Sequence, residues 1–414
     1  MKSTTCAPPL GSITTEVLAQ SWEYADVDTQ NLTHNIHRYS GKFIPQIPAR
    51  AISLLTESGD LVVDPYCGSG TTLVEAALLG RHVIGVDLNP LAVLISRVKT
   101  TPIPKADLDG LLAALTKTLT KNRLDYRLPL FRHMAGESRS MTERDPRFIH
   151  EWYRKWFQPD VLRELIEIDL AIREINDDAL RDVARVAFSD ILRRSSNAHS
   201  GYPNIMFDKN APEKEPPIRP FLTALERTVR MASTLSTVGA SWSRVEVRQG
   251  NATALPMDDA SVDAVVSHPP YIGSIPYAEY GALSLQWLGV DWKQLDRELT
   301  GGRRQSSGLV ERFEHGYGDM LKEAARVLRP GRYAFLMVGN PVVRGEVVDL
   351  AEMTLRLARD AGFNFVVRTE RKGVNRRANR MGAEHLLFFQ KPKDQPTHPV
   401  SFVRLSKSEA RAGQ

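Results

Sequence analysis

The sequence predicts an α/β protein with a seven-stranded, mostly parallel sheet, an antiparallel edge strand and a mostly helical insertion. Three observations predict it. Apolar runs of strand length alternate with helical spacings over residues 61–98 and again over 244–390. The stretch between, residues 101–240, carries helical spacing alone. The last two apolar runs have no helix between them, which calls for an antiparallel pair.

Each element follows in order. LVVDPYCGSGTTLVEAALLGRHVIGVDLNPLAVLISRV, residues 61–98, reads as strand, Gly-rich turn, helix, strand, helix. In the middle stretch Val161, Leu165, Ile168 and Ile172 share one helical face, while Trp152, Trp156 and Phe157 read as core. RRSSNAHSGYPN at 193–204 and EKEPPIRP at 213–220 read as exposed loops. Strands return in RVEVRQGNATAL (244–255) and VDAVVS (262–267). A helix is expected at 318–329 on the stripe Leu321, Ala324 and Leu328, then a strand in RPGRYAFLMVGN (329–340) and a helix presenting Leu350, Met353 and Leu357. FNFVVRT and HLLFFQK supply the last two strands.

Composition narrows the function classes. A chain of 414 residues that is 42% apolar can bury a real core, so disorder is excluded as the default. Two distant cysteines, Cys6 and Cys67, form neither a disulfide framework nor a zinc cluster and suit a reducing cytoplasm. No run reaches membrane-spanning length, and MKSTTCAPPLGSITTE lacks the apolar core of a signal peptide. The net charge of +5 and frequent arginine are a mild sign of a polyanionic partner.

The first candidate site is DPYCGSGTT. Gly68 and Gly70 lie between a strand and a helix, where glycine permits a tight turn and close ligand approach beside unpaired helix N–H groups. The next strand ends in Asp87, the position that binds ribose hydroxyls in Rossmann-like sheets. No Gly-Lys-Ser/Thr follows the turn, so a phosphate-binding P-loop is excluded. Asp64 would repel a pyrophosphate and favour a cationic ligand such as S-adenosylmethionine. The cofactor candidates are therefore Asp64, Pro65, Tyr66, Cys67, Gly68, Ser69, Gly70, Thr71, Thr72, Asp87 and Leu88, with Asn251 and Ala252 after the third strand to contact adenine.

The second is VVSHPPYIGSIPY at 265–277, where Pro269 and Pro270 end the strand because proline donates no ladder hydrogen bond. DPYCGSGTT together with SHPPY resembles the S-adenosylmethionine-dependent DNA methyltransferases that act on exocyclic amino groups. HRYSGKFIPQIPARAI (37–52) and IPYAEYGALSLQWLG (275–289) are similar to segments of the cytosine-N4 branch. The resemblance covers about 37–98 and 244–390. It implies that residues 1–100 and 241–395 are two parts of one catalytic domain, with 101–240 as a candidate target-recognition region and 396–414 as a tail. It also implies that Lys42 and Phe43 close over the cofactor.

The chemistry explains the residue types at Ser267, His268, Pro269, Pro270 and Tyr271. The lone pair of an exocyclic amine is delocalised into the ring, so the nitrogen must be held in line with the methyl donor, and positioning can supply on the order of 7–11 kcal/mol. The prolines stiffen a backbone carbonyl that faces the amine, and Tyr271 would stack on the flipped base. One departure stands out. The family has Asp, Asn or Ser directly before Pro-Pro-Tyr, whereas this chain has His268 with Ser267 one place earlier. Either His268 replaces the usual acceptor, the reading taken here, or Ser267 or a backbone carbonyl serves. A neutral imidazole accepts and an imidazolium cannot, so methylation is expected to fall as pH drops through roughly 6.5.

Double-stranded DNA is the expected partner, with a cognate restriction endonuclease as a further candidate and no membrane, in a bacterial cytoplasm at the nucleoid. Candidate DNA contacts are Arg193, Arg194, Ser196 and Asn197, Arg303 and Arg304, and Arg376, Arg377 and Arg380, with Arg371 and Lys372 beside them. His34 and His37 lack companions at ligand spacing, so no metal is expected. Adenine-N6 methylation, an RNA base methyltransferase and a catalytically silent nucleic-acid binder are the alternatives.

Overall fold

The computed structural model of the chain describes residues 9–126, 144–201, 204–238, 243–273, 276–302, 308–343, 345–372 and 383–393. Seven strands form one sheet: β1 (Leu61–Asp64), β2 (His82–Asp87), β3 (Val245–Gln249), β4 (Val262–Ser267), β5 (Leu328–Gly339), β8 (Asn364–Lys372) and β9 (Ala383–Gln390). A two-stranded hairpin, β6 (Val342–Val343) and β7 (Glu346–Val347), stands apart from it. The sheet order is β3-β2-β1-β4-β5-β9-β8. The pairs from β3 to β5 are parallel, and β9 runs antiparallel to both β5 and β8. The expected antiparallel pairing of the last two strands is thus present, with β9 inserted between β5 and the outermost β8.

The chain leaves β1 toward β2 and β3 on one side and returns to the other with β4. That reversal opens a crevice at the carboxyl ends of β1 and β4, where ligands bind in open α/β sheets. Every residue of β4 is buried, as a strand covered on both faces requires. Ala264 and Val266 join one core with Val62, Phe335 and Phe388, while Val262 and Val265 join another with Val63, Leu336 and Phe389.

The first face is covered by two helices that sequence reading did not place, Leu10–Ala19 and Gln46–Leu55. Pro45 and Pro48 disguise the second, but both sit at its start, where a missing N–H costs nothing. Trp22 follows the first helix and stacks at 6.1 Å on Phe335, with the Arg50 guanidinium 4.0 Å over its ring.

Between helix Pro90–Thr100 and β3 the described chain is helical, from Lys105–Tyr126 to Ile218–Val238. Val161, Leu165, Ile168 and Ile172 are all buried there, as are Trp156 and Phe157. Their core is continuous with Leu94 and Ile95 of helix Pro90–Thr100 and with Leu283, Leu285 and Trp287.

Two local expectations change and one is extended. The helix before β5 spans Leu309–Val327 and Leu328 already belongs to β5; Gly316 and Gly318 hid its first half. Leu350–Asp360 packs the expected Leu350, Met353 and Leu357 on the core, Met353 and Leu357 half-buried, and buries Ala351, Thr354 and Ala358 more deeply beside them. The stretch 193–204 is not simply an exposed loop, because Arg193–Ser195 end a helix and Ser195, Ser196 and Ala198 are buried.

At the end of the sheet opposite the crevice, buried Arg332 of β5 bonds Asp60 Oδ2 at 3.1 Å and Asp263 Oδ1 at 3.2 Å, and Asp263 Oδ2 accepts the Leu61 N–H at 2.9 Å. This cluster pins the starts of β1, β4 and β5 together. Arg332→Met removes the cation from buried Asp60 and one of the two from Asp263, which keeps Arg329, and is expected to cost about 3–5 kcal/mol, read as a lower denaturant midpoint; an unchanged midpoint would show that the cluster holds nothing.

Candidate active site

The Gly-rich turn is built by backbone constraint. Gly68 and Gly70 both adopt left-handed conformations, with φ of 51° and 79°. At Gly70 a Cβ would also lie 2.9 Å from Ser96 Oγ and 3.2 Å from Ser96 Cα, so only glycine fits. Ser96 Oγ donates to Gly68 O at 2.8 Å, and the Cys67 N–H donates to Val86 O at 3.0 Å. The turn is therefore tied to β2 and to helix Pro90–Thr100 before helix Thr71–Leu78 begins.

Asp87, at the end of β2, accepts the Gly68 N–H on Oδ2 and the Asn89 N–H on Oδ1, each at 2.9 Å. A carboxylate has about four lone-pair sites, so two remain for a ligand. Burial raises its pKa to about 6. Asp64 is deeper, 2% exposed, and burial raises it to about 6 as well. Its Oδ1 accepts from the Tyr66 N–H at 3.1 Å and from Ser267 Oγ at 2.6 Å. This last bond joins the end of β1 to the end of β4 and brings the two sequence motifs into contact.

An open cleft, about 630 Å³ including the solvent at its mouth, occupies the crevice. Pro65, Tyr66, Gly68, Asp87 and Leu88 line it from the first motif, Asn251 and Ala252 from the loop after β3, and His268 and Pro270 from the second motif. Asp64, Cys67, Ser69, Gly70, Thr71 and Thr72 do not line it; they are the buried frame of the turn. Lys42 donates to His34 O at 3.1 Å and Phe43 packs 4.8 Å from the His268 ring, so neither faces the cleft. Their neighbours Tyr39 and Gly41 do.

His268 Nε2 lies 2.5 Å from Tyr271 Oη, while its Nδ1 has no partner. Burial, reinforced by the Arg371 charge, lowers its pKa to about 3, so the imidazole is neutral at ordinary pH. The expected loss of activity near pH 6.5 is corrected accordingly, because protonation of His268 is displaced far below that range. Tyr271 is 2% exposed and does not line the cleft, which removes it as the stacking surface in this conformation. The aromatic walls are Tyr39, Tyr66 and Tyr277, with Tyr39 and Tyr277 stacked at 6.3 Å. Tyr66 Oη donates to Thr300 Oγ1 at 3.1 Å, and Leu299, Thr300 and Gly301 complete the cleft. At Gly301 a Cβ would meet Pro270 Cβ at 2.7 Å, so this loop rests directly on the second proline.

Sequence reading missed Tyr39, Gly41, Asn89, Tyr277 and the 299–301 loop. Tyr39, Gly41 and Tyr277 sit inside the two segments that resemble the cytosine-N4 branch, and that was the available signal; the loop carries none.

Of the DNA candidates, Arg193 Nη2 donates to Asn204 O at 3.0 Å and Arg194 Nη2 to Pro220 O at 2.8 Å. Ser196 Oγ donates to Arg193 O at 2.8 Å, and Asn197 Nδ2 to Lys155 O at 3.1 Å. Arg371 pairs with Glu384 at 2.8 Å. Arg303, Arg304, Arg376, Arg377 and Arg380 lie outside the described residues. His34 Nε2 meets Glu75 at 2.7 Å and His37 Nε2 meets Ser189 Oγ at 2.9 Å, two separate settings. No helix among the described residues is long and apolar enough to cross a membrane.

Asp87 with free lone pairs, the glycine turn and the apolar Leu88 and Ala252 beside aromatic walls suit a cationic nucleoside cofactor. Comparison with known proteins points the same way. The family described as DNA methylase matches residues 11–97. The type II methyltransferase M.MvaI of Kocuria varians is 26% identical over 374 residues, covering 78% of this chain and 80% of that one. The type II methyltransferase M.MjaII of Methanocaldococcus jannaschii is 23% identical over 386 residues, covering 74% and 72%. A solved S-adenosylmethionine-dependent methyltransferase from Methanosarcina mazei aligns over 83% of this chain and 98% of its own at 12% identity and a TM-score of 0.34. The family match, the two sequence relatives and the order of the motifs along the chain make this protein similar to the amino-group DNA methyltransferases that its two motifs resemble.

Proposed function

We propose that the chain methylates the exocyclic N4 of cytosine in double-stranded DNA, in a sequence-specific modification system with a cognate endonuclease. The observation that carries the reading is the single cleft lined by both motifs, since transfer requires donor and acceptor to share one enclosure. When bound, S-adenosylmethionine supplies a methyl carbon made electrophilic by its sulfonium. Asp87 would accept its ribose hydroxyls, and Leu88 and Ala252 would pack on its adenine. Pro270 and the carbonyls around it would position the amine, with neutral His268 as acceptor of one of its hydrogens. Tyr39 and Tyr277 come from the two segments that resemble the cytosine-N4 branch, and both line the cleft, which supports that branch. The helices of 101–240, with Arg193, Arg194, Ser196 and Asn197, and the segments carrying Arg303, Arg304, Arg376, Arg377 and Arg380 would grip and read the duplex.

Digestion to nucleosides after incubation with labelled cofactor and DNA is expected to yield labelled N4-methylcytosine. Labelled N6-methyladenine would move the assignment to adenine, and unlabelled DNA despite intact cofactor binding would leave a silent binder. His268→Asn, which keeps an acceptor, should retain activity, whereas His268→Phe should slow single turnover on the order of 100-fold; equal rates remove His268 from the reaction. The raised pKa of Asp87 means that the site loses its charge as pH falls through about 6. Cofactor affinity measured by calorimetry should therefore weaken between pH 7 and pH 5, and Asp87→Asn should bind roughly 10–100-fold more weakly with that dependence reduced. An affinity flat across this range would contradict the role given to Asp87.

A further inference from the structure

Behind the cleft wall a polar chain runs from β8 to His268. Arg371 Nη1 donates to Glu384 Oε2 at 2.8 Å across directly paired positions of β8 and β9. Glu384 Oε1 lies 3.5 Å from Tyr271 Oη, and Tyr271 Oη lies 2.5 Å from His268 Nε2. Tyr271 and Arg371 are nearly inaccessible, at 2% and 4% exposure, so these groups have little recourse to water.

Two proton arrangements fit the distances. In one, Tyr271 donates to His268 Nε2, which places the imidazole proton on the partnerless Nδ1 and turns a hydroxyl lone pair toward the Glu384 carboxylate. A buried N–H without an acceptor is then left, at a cost of about 1–3 kcal/mol. In the other, Nε2–H donates to Tyr271 Oη and Tyr271 O–H donates to Glu384. Every proton then has an acceptor, and the unfilled site is an acceptor lone pair, the less costly kind of vacancy. The ion pair with Arg371 favours Glu384 as the terminal acceptor.

We infer that Arg371, Glu384 and Tyr271 are positioning residues that hold His268, a residue of the cleft lining, as its Nε2–H tautomer and leave its buried Nδ1 as a bare acceptor. The inference rests on the proposed function in giving that lone pair the substrate amine as its partner. It also gives Tyr271 a role other than stacking, one that follows from a histidine at the preceding motif position.

The test is long-range proton–nitrogen NMR of the full-length protein labelled with ¹⁵N-histidine, with His268 assigned by its loss in His268→Asn. The expected spectrum has a protonated, pyrrole-type Nε2 and an unprotonated, pyridine-type Nδ1. Tyr271→Phe and Glu384→Gln should each shift this signature toward the other tautomer, and Tyr271→Phe should slow single-turnover methylation about tenfold while cofactor affinity is retained. A protonated Nδ1 in the unaltered protein overturns the inference, whether or not either variant folds. A signature unchanged in a folded Tyr271→Phe overturns it too. Nε2–H in a protein that labels no amino group would instead uphold the tautomer and refute the substrate reading.

Discussion

The hydrogen bond from Ser267 Oγ to Asp64 Oδ1 is the constraint on which the site depends. The two residues are 203 apart in sequence and end the neighbouring parallel strands β1 and β4. Beyond Asp64 the chain enters the glycine turn, and beyond Ser267 it enters His268 and the two prolines. Because the bond is buried at 2.6 Å, the two loops are fixed relative to each other before any ligand arrives. Positioning is the main catalytic resource for a weakly nucleophilic amine, and a preformed angle between the loops removes part of the ordering cost at the moment of binding.

Burial sets the electrostatics of the wall, and it acts in opposite senses on acids and bases. Asp64 and Asp87 are pushed up to about 6, while His268 is pushed down to about 3. At neutral pH the cleft therefore combines the Asp87 carboxylate, with Asp64 buried behind the turn, and the uncharged imidazole of His268. An imidazolium near a methylsulfonium would repel it and could not accept an amine hydrogen. Where the family that the motif resembles has Asp, Asn or Ser, this chain has a larger ring, enclosed by Phe43 and Tyr271.

Much of this was legible in the sequence because it rests on local chemistry. Gly68, Gly70, Asp87 and the Pro269–Pro270 pair announce themselves through strict spacing beside apolar runs, and β1 to β5 follow from the same runs. What was hidden depends on long-range contacts. Nothing local marks Gly301 as the glycine that meets Pro270, or Glu384 as the partner of Tyr271. Helix Gln46–Leu55 was masked by prolines that its first turn tolerates. Tyr271 reads as a stacking ring from its motif, yet its hydroxyl finds His268 and Glu384 and its ring is covered.

The central claim is that cofactor and target base meet in one cleft framed by the Asp64–Ser267 contact. A crystal structure of the full chain with S-adenosylhomocysteine tests it most directly. The account predicts the ribose hydroxyls on Asp87 and the sulfur open toward His268 and Pro270. A ligand bound elsewhere, or a sulfur walled off from the two prolines, would contradict it.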